Sequence, residues 1–77
     1  MKDSEAAEFC AIWLQTASLY SQTEYSKDTL RMVFRLFREF DLADVKKAIE
    51  KHVKTPVTGR FMPKPADIIG YLSLIHI

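Results

Sequence analysis

The sequence predicts an all-α protein, a small single-domain bundle of about four helices. Four successive segments carry apolar residues three and four positions apart, the spacing that gathers them on one helix face. All three prolines and one of the two glycines fall within residues 55–65, so the chain's breakers are concentrated in one place. A chain of 77 residues has room for one hydrophobic core, and the four stripes can be buried only against one another.

Helix one is expected from Ser4 to Tyr20. Ala6, Phe9, Trp13, Ala17 and Tyr20 form its stripe, with Glu5 and Glu8 near the start, where the helix dipole favours negative charge. Ser21 to Tyr25 is polar and aperiodic and reads as a connection. Ser26 is placed to cap helix two, Asp28 sits in its first turn, and Leu30, Val33, Phe34, Phe37 and Phe40 carry the stripe to about residue 40.

Asp41 offers a second N-cap, with Asp44 three residues on as a weak capping box. Leu42, Val45, Ala48, Ile49, His52 and Val53 then mark helix three. With a residue or two between them, helices two and three must turn a sharp corner if both stripes face one core. Residues 55–65 are expected to be loop. Pro65 suits the first position of helix four, where its missing N–H costs nothing, with Asp67 in that first turn and Ile68, Ile69 and Leu72 behind it.

The predicted core is Phe9, Trp13, Val33, Phe34, Phe37, Val45, Ile49, Phe61 and Ile68, with Phe61 tucked under the bundle. The domain is expected to occupy residues 1–72. Ser73 to Ile77 is apolar with no stop signal, and reads either as the edge of a longer protein or as a non-native tail resembling a translated sequencing adapter.

Hydrophobic residues make up 48% of the chain and charged residues 27%, a balance that favours folding over disorder. The single cysteine, Cys10, has no internal disulfide partner, and no secretory leader opens the sequence, which fits a reducing cytoplasm. Every apolar stretch is broken by charge well before the roughly 18 residues a membrane span needs, so no membrane role is expected.

No Cys-x-x-Cys, His-Glu-x-x-His, glycine-rich phosphate loop or Gly-x-Ser-x-Gly turn occurs. The expectation is a non-enzymatic chain with no catalytic, cofactor-binding or metal-binding residues. Cys10 and His52 could pair as nucleophile and base, but a cysteine between Phe9 and Trp13 reads better as a small core or boundary residue. His52, on the apolar stripe, reads as a satisfied boundary histidine rather than a ligand, and the phenylalanines of helix two as core.

Net charge is +1, unevenly spread: from residue 45 onward six basic groups face only Glu50 and Asp67. Lys47, Lys51 and Lys54 stand at i, i+4 and i+7 on helix three, and Arg60 and Lys64 follow in the loop. A solvated face accounts for such lysines in most small helical domains. As a binding surface, these five with Met62 form the candidate partner site. A helix-turn-helix role is disfavoured, because the exposed face offers lysines and Glu50 rather than the Asn, Gln or Arg that read base edges.

Trp13 in the first helix, Tyr20 before a polar loop, the Leu30 to Phe40 helix, Val45-x-x-Ala48-Ile49 and the helix start Phe61-x-Pro63-x-x-Ala66-Asp67-Ile68 together resemble the phage replicative-helicase loader/inhibitor family, in its folded N-terminal domain. The likeness covers nearly all of residues 6–72 and rests on core and capping residues. It implies an adaptor that binds a hexameric DnaB-type replicative helicase, holds it off DNA and delivers it to an origin-bound initiator. In that family the helicase contact is attributed largely to a flexible segment beyond the folded domain, and residues 1–77 are expected to stop short of it. Relatives often carry consecutive prolines after the aromatic residue where this chain has Met62-Pro63-Lys64-Pro65, which points to a different partner for the loop. The alternative reading is a small helical nucleic-acid-binding domain using the same lysines.

Overall fold

The computed structural model describes residues 1–21 and 24–75. Four helices account for most of them: α1 (Ala6–Ser18), α2 (Lys27–Phe37), α3 (Leu42–Lys54) and α4 (Pro65–Ile75), with short 3₁₀ turns at Asp3–Glu5 and Thr58–Arg60. No strand occurs among the described residues. The Cα radius of gyration, 11.8 Å, is close to the roughly 11.5 Å expected of a compact chain this long.

The helix boundaries follow from local chemistry. Ser26 has extended backbone, and its Oγ accepts the Thr29 amide at 3.1 Å, so α2 is capped as the sequence predicts. At α4 the Lys64 amide donates to Asp67 Oδ2 at 3.0 Å, half of a capping box, and Pro65 takes the first helical position. Asp41 differs: it is the N-cap of α3 by backbone, but its side chain makes no capping bond. Its exposed carboxylate meets water instead and acts at the helix start through charge alone.

Two helices are shorter than their stripes suggested. α1 ends at Ser18 and passes through a turn to Ser21, whose φ of 61° is left-handed. Gln22 and Thr23, in the expected connection, lie outside the described residues, as do His76 and Ile77 of the expected tail; Ser73 to Ile75 continue α4. α2 stops at Phe37, and the Phe40 amide bonds back to the Phe37 carbonyl at 3.0 Å to begin the corner into α3. The Met1 amino group donates to the Arg38 and Phe40 carbonyls at that corner. α2 and α3, neighbours in sequence, pack chiefly through α1 and α4, each of which touches both.

The core is built around aromatic rings. Phe9 stacks on Trp13 at 6.0 Å between centroids, and Phe37 stands 5.4 Å from Phe9 and 5.6 Å from Trp13. Such offset and tilted arrangements suit the ring quadrupoles. Val33, Leu42, Val45, Ala48, Ile49, Ile68 and Leu72 close round them, and Phe34 packs at the edge.

Phe61 is the exception among the predicted core residues, for it is 70% exposed. Its backbone is extended, with φ −120° and ψ 144°. Met62 takes the inward direction and packs on the core, followed by the fully buried Pro63, so Phe61 is turned out.

Candidate functional site

The α3 stripe that buries Val45, Ala48, Ile49 and His52 turns the lysines between them to solvent. Lys47, Lys51 and Lys54 line one shallow depression with Glu50, Thr55 and Pro56. The Lys51 ammonium lies 5.8 Å from the centroid of the Tyr71 ring, a cation–π contact that leans it toward α4. Lys46, on the neighbouring edge, pairs with Glu8 of α1 at 3.2 Å. Lys51 and Lys54 stand in the last turn of α3, where positive charge complements the helix dipole.

Met62 and Lys64 are placed elsewhere. They border a cleft with Trp13, Tyr25, Thr29, Val33, Pro63 and Pro65, apart from the lysine depression. Met62 is half-buried and Lys64 exposed, while Arg60 closes the 3₁₀ turn with its side chain in solvent. The six candidate residues therefore divide into the lysine face, the Trp13 cleft and the exposed Arg60.

The loop between α3 and α4 is held from several sides. The last carbonyls of α3 are satisfied by Thr55, whose Oγ1 donates to Lys51 O at 2.7 Å, and by Thr58, whose Oγ1 donates to His52 O at 3.1 Å. The Gly59 amide donates to Thr55 O at 2.7 Å, and the Tyr20 hydroxyl, at the far end of α1, donates to Gly59 O at 2.8 Å. Only glycine fits here, because a Cβ on residue 59 would stand 2.3 Å from the Val53 carbonyl oxygen. His52 is almost wholly buried with Nε2 3.0 Å from Phe61 O. A carbonyl can only accept, so Nε2 is the donor of this bond, while Nδ1 has no hydrogen-bond partner.

Sequence reasoning missed the side chains this bracing displays. Val57 is 74% exposed and Phe61 70%, on either side of the tightest part of the turn. A signal was present in Val57, an apolar residue that follows Pro56 in the loop and lies off every helical stripe. The other missed feature is an open groove between α1 and α3, floored by Ile12, Ile49 and Val53, with Leu19, Lys46 and Lys54 among its borders.

Cys10 is half-buried on α1, and burial pushes its thiol above the usual range, the reverse of what an activated nucleophile needs. Among the described residues no cluster of three His, Cys, Asp or Glu side chains could hold a metal ion. No helix there is long and apolar enough to cross a membrane. Comparison with protein-family models, curated proteins and solved structures gives no match to this chain.

Proposed function

We propose that this chain is a non-enzymatic adaptor of phage or prophage DNA replication, related in kind to helicase loader/inhibitor proteins and acting in the bacterial cytoplasm by binding protein. What supports the reading is that most of the residues behind the resemblance hold structural positions, Phe61 being the exception. Trp13, Ala48, Ile49, Pro63 and Ile68 are buried, Tyr20 ties α1 to the α3–α4 loop, and Asp67 caps α4. These positions leave the lysine face and the loop for a partner.

The lysine depression favours a second reading, binding to a phosphate backbone through Lys47, Lys51 and Lys54. One titration series separates the two. Purified chain is titrated with a DnaB-type helicase hexamer, and separately with duplex DNA, at several salt concentrations. The adaptor reading expects saturable helicase binding of moderate salt dependence and negligible DNA binding. No helicase binding, together with DNA affinity falling by a log–log slope of about −0.9 per phosphate contacted, would establish the nucleic-acid reading instead.

A further inference from the structure

We propose that the turn carrying Val57 and Phe61 is a preformed docking element for a protein partner with an apolar pocket edged by carboxylates. The inference rests on the adaptor reading only for the class of partner, a protein, and does not require that partner to be a helicase.

Two independent observations carry it. The first is apolar display from a rigid base: Val57 and Phe61 stand in solvent while Tyr20, His52, Thr55 and Thr58 fix the backbone between and beside them. Large apolar side chains on a braced loop lose little freedom on binding, which is how a few anchor residues come to dominate an interface. Met62 and Pro63 fill the inward side of this segment, and the His52 bond to the Phe61 carbonyl fixes the backbone that displays the ring.

The second observation is charge. Between Glu50 and Asp67 the chain carries Lys51, Lys54, Arg60 and Lys64 and no acid. Arg60 and Lys64 flank Phe61 and are exposed. With Arg60 next to it in the chain and the Asp67 carboxylate already accepting from the Lys64 amide, Phe61 stands in a locally basic stretch, which carboxylates round an apolar pocket would match. A nucleic acid could stack on Phe61 but offers no pocket for the aliphatic Val57, so a protein is favoured.

The test is a random-peptide display library panned against the whole chain, with selected peptides measured against variants. Enriched peptides should combine Asp or Glu with a large apolar anchor, and V57S and F61S should each weaken them about tenfold, the loss expected of an anchor residue. L14S, at an exposed apolar position on α1, should not weaken them. Unchanged thermal melts would show that the variants fold, and the amide shifts of Gly59 to Met62 on peptide addition report the site without any substitution. Failure to enrich peptides, peptides without acidic bias, or full binding by F61S would overturn the proposal. Oligothymidine binding lost in F61S would reassign the turn to single-stranded nucleic acid, and a concentration-dependent dimer lost in F61S would reassign it to a second copy. Phe61-dependent peptide binding with no helicase binding would leave this surface standing and overturn the helicase identity alone.

Discussion

The Tyr20 hydroxyl donates to the Gly59 carbonyl at 2.8 Å, joining the end of α1 to the turn that precedes α4 across 39 residues of chain. Tyr20→Phe removes that bond and leaves a partly buried carbonyl without its donor. A cost of about 1 kcal/mol is expected. Thermal melts should show it, and hydrogen exchange should speed at Gly59 and Phe61 while the amides of α1 to α3 keep their protection. Gly59→Ala should be worse, at about 1–3 kcal/mol, because its Cβ meets the Val53 backbone rather than a movable side chain.

Trp13→Ala should cost on the order of 3–5 kcal/mol, much of what a domain this small can possess. Trp13 is 2% exposed and touches the rings of Phe9 and Phe37. The variant should be largely unfolded by circular dichroism. Trp13→Phe should be markedly milder, since the indole N–H it removes has no acceptor. Equal melts for parent and Trp13→Ala would refute a core role.

Reversing Lys47, Lys51 and Lys54 together to glutamate should preserve the fold with a lowered melting temperature. Exposed lysines contribute at most about 1 kcal/mol each, but carboxylates in the last turn of α3 oppose the helix dipole and Lys51 loses its Tyr71 contact. Binding should fall much further than stability if this face meets a partner. Against a protein the association rate should drop and salt should act moderately; against DNA the salt slope itself should shrink. Unchanged binding would make the face merely solvated.

Ser21→Gly should stabilise the chain by about 0.5–1 kcal/mol. Ser21 holds a φ of 61°, which L-residues adopt at a cost of roughly 1–2 kcal/mol, partly offset by the greater freedom glycine gives the unfolded chain. A melting temperature that falls would show that the serine side chain contributes more than its backbone loses.

Cys10 should alkylate slowly. Burial raises its thiol pKa, so less thiolate is present at mildly alkaline pH than in the unfolded chain. For stability the sign follows: the contribution is complete below the unfolded thiol's pKa and is lost as pH rises through the higher folded value. Iodoacetamide labelling followed by mass spectrometry should be slower in buffer than in urea, and equal rates would contradict it.

The sequence by itself determined what depends on near neighbours. The four stripes, the Ser26 cap and Pro65 at the start of α4 are local, fixed by residues within a turn or two, and were legible as such. The lysine face was legible too, because α3 spacing alone turns Lys47, Lys51 and Lys54 away from Val45 and Ile49. Only the tertiary structure decided the direction of Phe61. An aromatic beside two prolines looks like core from its neighbours, yet Pro63 and Met62 fill that space and His52, from the preceding helix, holds the Phe61 carbonyl inward. Tertiary structure also separated Met62 and Lys64 from the α3 lysines, since the loop's course depends on Tyr20 and on the Val53 backbone, contacts that no local pattern specifies.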